Sequence, residues 1–138
     1  MIGDLLQVFY DSLKKTDFKP YIGDTNYDKS TYPLAQVFPE NSSYNTGGEY
    51  EDTYTVFFVF EKGNKRSNKK RTSEYIENIN IVESAIDTIQ DDLSDTGLIH
   101  GFIVQNIDFL VAENSENLLD VIRVDWNISK LKELCYNE

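Results

Sequence analysis

The chain of 138 residues has one cysteine, one histidine, one tryptophan, one methionine and three prolines. A lone Cys135 cannot close an internal disulfide. No basic leader precedes an apolar segment and no apolar run approaches the length of a membrane span, so a soluble protein made in a reducing compartment, without a membrane, is expected. The shortage of histidine also narrows the chemistry. A Ser-His-Asp or Cys-His arrangement would have to use His100, and nothing in the sequence aligns it with Cys135. Zinc would have only those two residues to draw on. Positive charge is the other scarcity: 13 Lys and Arg against 24 Asp and Glu give a net charge of −11, which argues against a generic nucleic-acid binder. No glycine cluster has phosphate-loop spacing. No catalysis and no cofactor are expected. A carboxylate-only Mg²⁺ or Ca²⁺ site through Asp87, Asp91, Asp92 and Asp95 is the formal exception, and those acids read more simply as a solvated helix face.

What the chain does have is apolar patterning, with 13% aromatic residues, too many for a disordered acidic chain. In Thr53-Tyr-Thr-Val-Phe-Phe-Val-Phe60, the period of two puts Tyr54, Val56, Phe58 and Phe60 on one face and brings Phe57 and Val59 onto the other. This predicts a central strand. From Tyr75 to Leu93, apolar residues recur at steps of three and four through Ile76, Ile79, Val82, Ile86 and Ile89, which predicts a long helix lying on a sheet. Thr72 or Ser73 is the expected cap and Gly97 the expected stop.

Around this centre the order is readable. Ile2, Leu5, Leu6, Phe9 and Leu13 form an N-terminal helical stripe that should end by Thr16. Asp17 to Tyr32 keeps no period and reads as an extended connector, ordered only against the body or a neighbour. Pro33 to Phe38, closed by Pro39, reads as the first strand, and Glu40 to Asp52 as a mobile loop with hairpin character. Ile99 to Ala112 alternates, with Ile99, Ile103, Ile107, Phe109 and Val111 on one face. Leu118, Ile122, Val124 and Trp126 point inward on its hairpin partner. Ile128 to Cys135 suggests a short closing helix. The expected fold is a single α+β domain over residues 1–138: a four-stranded, mostly antiparallel sheet with the long helix and the shorter N-terminal helix on one face.

Two features exceed background. Lys62, Lys65, Arg66, Lys69, Lys70 and Arg71 gather nearly half of the positive charge into ten residues interspersed with Gly, Asn and Ser, a loop that suits phosphate, an acidic partner or, equally, a solvated tip that only offsets a very acidic surface. Tyr44 and Tyr50, in the expected hairpin loop, are tyrosines of the kind found at interfaces. Lys65, Arg66, Lys69, Lys70, Arg71, Tyr44 and Tyr50 are therefore the candidate partner-binding residues. Two other readings stand beside this one: a nucleic-acid-binding accessory module using 62–71, although no aromatic is interleaved to stack on bases, and a small enzyme with carboxylate-bound metal.

The succession of an N-terminal amphipathic helix, an acidic-aromatic connector, Tyr32-Pro-Leu-Ala-Gln-Val-Phe38, a Gly-Gly loop before Tyr54 to Phe60, one long helix and a final hairpin ending in Val124-Asp-Trp126 resembles the tail terminator proteins of long-tailed bacteriophages. The resemblance covers nearly the whole chain and is one of length and pattern. It implies a structural virion protein, made in the host cytoplasm and resident at the tail and neck. In that family the subunit forms a ring, commonly a hexamer, that ends the tail tube and meets a neck or head-completion protein. Viral DNA passes through the lumen without sequence-specific binding, which would favour an acidic lining. A ring closed by rotation needs two different patches on each subunit. Neither the basic loop nor the segment from Ile128 to Glu138 matches the family pattern.

Overall fold

The computed structural model describes residues 2–44, 49–63, 68–97, 99 and 101–131, with side chains throughout except at 2, 44, 49, 50, 62, 63, 68–71 and 131. Two helices, α1 (Ile2–Lys14) and α2 (Asn68–Asp95), accompany five strands, β1 (Lys19–Ile22), β2 (Leu34–Tyr44), β3 (Glu49–Gly63), β4 (Gly101–Glu113) and β5 (Leu118–Leu131). The sheet order is β1-β2-β3-β5-β4. Three pairings are antiparallel and β1 lies parallel to β2. The α+β class stands, with five strands in place of the expected four. The extra strand, Lys19-Pro-Tyr-Ile22, is too short to show a period and contains a proline.

The sheet carries two apolar layers. On the helix side, Tyr54, Val56, Phe58 and Phe60 of β3 and Ile122, Val124, Trp126 and Ile128 of β5 pack with Leu5, Phe9 and Leu13 of α1 and with Val82, Ile86, Ile89 and Leu93 of α2. This is the alternation expected for β3, and it makes β3 central. Trp126 is fully buried; the Phe9 ring meets it edge-on at 5.7 Å and Phe102 lies at 6.5 Å. Such aromatic pairs are worth about 0.5–1.5 kcal/mol beyond the area they bury. α1 stops where Thr16 donates its backbone N–H and its hydroxyl to the Leu13 carbonyl. Ser12 and Lys15 then tie α1 to Asp92 of α2, at 2.5 and 2.9 Å.

The connector is ordered against the body. Phe18 sits on Phe58 and Phe60 at 4.8 and 5.4 Å. After β1 the chain crosses the opposite face of the sheet, where Tyr21, Tyr27 and Tyr32 pack on Leu34, Val59, Leu119 and Val121. Tyr27 donates to the Gln36 side chain at 2.6 Å, and Tyr32 donates to the Tyr27 carbonyl at 2.5 Å. At the far end, the Asp28 carboxylate accepts both the N–H and the hydroxyl of Ser115, at 2.7 and 2.8 Å, in the turn between β4 and β5. Those bonds hold the Asp28 carboxyl below its ordinary value, the backbone donor contributing most.

Several boundaries differ from the sequence expectation. β2 runs through Pro39, where a register shift between Pro39 and Asn41 absorbs the missing donor, so most of Glu40 to Asp52 is hairpin strand. α2 begins at Asn68, ahead of the Thr72 or Ser73 cap, and its first turn contains no acid. Part of the expected basic loop is therefore helical backbone. β5 continues to Leu131, so Ile128 is strand where a closing helix was expected, and 132–138 fall outside the described residues. Leu118, expected inward, is 40% exposed, beyond a register shift between Glu61 and Gly63 of its partner strand.

Candidate assembly surface

The residues singled out by sequence are only partly placed. Lys65 and Arg66 lie outside the described residues, as do His100 and Cys135. Lys69, Lys70 and Arg71 occupy the start of α2 as backbone, and Tyr44 and Tyr50 face each other in the β2–β3 register; their side chains are likewise outside the description. The backbone thus puts the two tyrosines at one end of the β2–β3 ladder and leads the basic segment out of the other end of β3. It does not bring the two groups together.

Apolar exposure is concentrated elsewhere, on β4. This edge strand of 13 residues, Gly101-Phe-Ile-Val-Gln-Asn-Ile-Asp-Phe-Leu-Val-Ala-Glu113, contains no Lys, Arg or Pro. Ile103, Ile107, Phe109, Leu110 and Val111 are all more than 40% exposed, Val111 reaching 64%. The strand alternates, but a register shift between Val104 and Asn106 changes which residues face the helices. Phe102 and Val104 on one side of the bulge, and Ile107, Phe109 and Val111 on the other, share the helix face, opposite Ile128, Trp126, Val124, Ile122 and Asp120 of β5. Ile103 is turned to the other face. The single apolar face expected from Ile103 to Val111 is therefore broken at Gln105, because an inserted residue reverses every later side chain.

The first turns of α2 leave this part of the sheet open. Tyr75 and Ile76, the first members of the predicted stripe, are 39% and 55% exposed, whereas Val82, Ile89 and Leu93 are buried. Between them and the sheet lies an open groove of about 900 Å³, with Phe60, Tyr75, Ile76, Phe109 and Val111 among its lining. Tyr75 and Phe109 face each other across it at 6.3 Å. The groove also carries Glu61, Glu74, Glu77 and Asp120, and the apolar edge beside it is a surface on which another chain can bury area and complete a hydrogen-bond ladder.

Among the described residues, polar clusters sit on both faces of the sheet. At the hairpin end of the helix face, Lys130 and Asp52 form an ion pair of 2.5 Å with side chains 4% and 1% exposed. Asp52 also accepts from the Ser42 hydroxyl and, at 3.4 Å, from Tyr54. Burial first, and the Asp52 charge second, push the Tyr54 hydroxyl well above its ordinary value, so it stays a neutral donor. On the opposite face, Asp125 accepts from Thr55 and pairs with Arg123 at 3.1 Å, while the Arg123 guanidinium lies over Phe57. Among the described residues no three His, Cys, Asp or Glu gather into a metal-binding group, and no described helix is long and apolar enough to cross a membrane. Along the outer face of α2, Glu83, Asp87, Asp91 and Asp95 are exposed at intervals of four. This stripe repels itself by a few tenths of a kcal/mol per pair.

No protein-family model matches the chain, and no curated protein sequence matches it significantly.

Proposed function

We propose that the protein is a structural assembly subunit that works by burying its exposed sheet edge against other chains, and that the assembly is a homo-oligomeric ring closing the end of a phage tail. The observation that carries the reading is β4: 13 residues of edge strand with five large apolar side chains exposed. A monomer that functions alone commonly blunts such an edge with lysine, proline or a covering loop. The resemblance to tail terminators supplies the ring, its place between tail tube and neck, and the DNA passage. The acidic stripe on α2 suits that passage, since a surface of the same sign as DNA lets the duplex slide without sticking. The basic segment 62–71 then serves as a contact to an acidic neighbour, either another copy or the neck protein.

The test is an electron micrograph of the purified protein together with particles assembled without it. Rings with a central hole, and tails lacking a finished end in the depleted particles, are expected. A monodisperse monomer that leaves tails unaffected by its loss would refute the reading. Steep salt-dependent DNA binding by that monomer would instead select the accessory nucleic-acid module built on 62–71.

A further inference from the structure

An apolar edge able to hold an assembly together is also a hazard before assembly, because unpaired backbone groups template further strands. What could occupy β4 in the free protein can be read from its own side-chain order.

Let a second copy approach with its β4 antiparallel to the first, related by a two-fold axis perpendicular to the sheet. Residues of equal parity then stand opposite each other and remain on one face, and the helices of both copies lie on the same side. With the axis at Phe109, Phe109 meets its counterpart and Ile107 meets Val111 twice. All of these belong to the helix-side face, where Ile107, Phe109 and Val111 are 41%, 51% and 64% exposed. On the opposite face Asp108 meets Leu110, so no two carboxylates are opposed. Neighbouring registers are worse: an axis at Asp108 sets that carboxylate against itself, and an axis at Leu110 sets Ile107 against Glu113. The bulge at Gln105 limits the seam to the stretch from Asn106 onward. Tyr75 and Ile76 of each copy flank the seam, with Tyr75 already 6.3 Å from Phe109.

We propose that the free protein is an isologous dimer joined β4 to β4 in the register centred on Phe109, a continuous ten-stranded sheet that masks the assembly edge until another chain takes it. The proposal rests on reading β4 as the assembly edge and adds what occupies that edge beforehand. Self-complementarity of the apolar positions, with no carboxylates opposed across the seam, favours a second copy over an unrelated strand. Such a dimer has no free β4 edge, so β4 becomes available to a ring only by dissociation.

Sedimentation of the protein purified in the absence of other tail components should give twice the 15.9 kDa chain mass. Val111→Lys, which changes a side chain that faces solvent in the isolated subunit, should sediment as a folded monomer whose melting temperature no longer rises with protein concentration, as that of the wild-type dimer should. The register is tested by cysteine cross-linking in a Cys135→Ser background. Phe109→Cys should oxidise to a covalent dimer, since directly opposed Cβ atoms lie about 4.5–5.5 Å apart. Ile107→Cys alone should not, while a mixture of Ile107→Cys and Val111→Cys should. A wild-type monomer, a dimer that survives Val111→Lys, or cross-linking of Ile107→Cys alone as efficient as in the mixture would overturn the proposal. Rings that form directly from monomers would also overturn it while leaving the ring reading intact. A β4 dimer that never forms rings or finishes tails would do the reverse.

Discussion

The two edges of the sheet are built to opposite specifications. β1 is four residues long; its N-terminal residue and the following Gly23 donate toward β2. The alternation of a strand then leaves Pro20 where an outward donor would be, and proline has none to offer. Lys19 adds an exposed charge, α1 lies alongside, and the connector continues from this edge over the back of the sheet. β4 is 13 residues long, carries neither lysine nor proline, and exposes apolar side chains on both faces. One edge is closed to other strands, whereas the other is open to them. The difference is what the assembly reading of β4 rests on.

The largest effect should come from the layer both edges share. Trp126 is fully buried and pairs in register with Tyr54 and Val104, so Trp126→Ala is expected to cost about 3–5 kcal/mol, read as a lowered urea midpoint. An unchanged midpoint would mean that β5 is not the common support of the β4 edge and the centre.

A smaller effect separates the back-face covering from the rest. The carboxyls of Asp28 and Asp92 are held below the ordinary value of 3.8, Asp28 by Ser115 and Asp92 first by the Ser12 hydroxyl and then by Lys15. Because the folded values are depressed, the stabilisation is fully present above the unfolded value and is lost as pH falls through the folded one. Melting temperature should therefore decline on acidification below about pH 4. Asp28→Asn should remove part of that decline and raise amide exchange in the connector while leaving β4 unaffected. A decline identical in the variant would show that the connector is held by its tyrosines alone.

Much of this was legible in the sequence, and the failures have physical causes. β3, β5 and α2 from Val82 onward are readable because each buries an apolar face, and periodicity reports burial. The same signal cannot distinguish a central strand from an edge: Ile103 to Val111 is as rich in Ile, Phe and Val as β3, yet it is exposed. The bulge at Gln105 is a backbone event with no side-chain signature, so the face of Ile103 was misassigned relative to Ile107. β1 escaped notice because Lys-Pro-Tyr-Ile is too short for a period. The start of α2 at Asn68 is hidden in the sequence because Thr72 and Ser73 are good caps and three basic residues in a first turn oppose the helix dipole. Among the candidate site residues, sequence pointed to charge and to loop tyrosines. The β4 edge and its groove emerge only once strand order is known.

The smallest effect on stability should have the sharpest effect on assembly. Ile22→Lys and Val111→Lys each place a lysine at a sheet edge, at positions 48% and 64% exposed, and each should change the unfolding free energy of the isolated subunit by no more than about 0.5 kcal/mol. Ile22→Lys should assemble as wild type, whereas Val111→Lys should not. Equal behaviour of the two would erase the distinction between the edges.

The most direct test of the central claim is residue-resolved hydrogen exchange on the assembled protein and on the monomeric Val111→Lys variant. If β4 is the assembly edge, its outward amides from Asn106 to Ala112 exchange rapidly in the monomer and become protected in the assembly, while the amides of β1 are the same in both. Protection that appears at β1 or around the start of α2, with β4 exchanging equally in both states, would contradict the account.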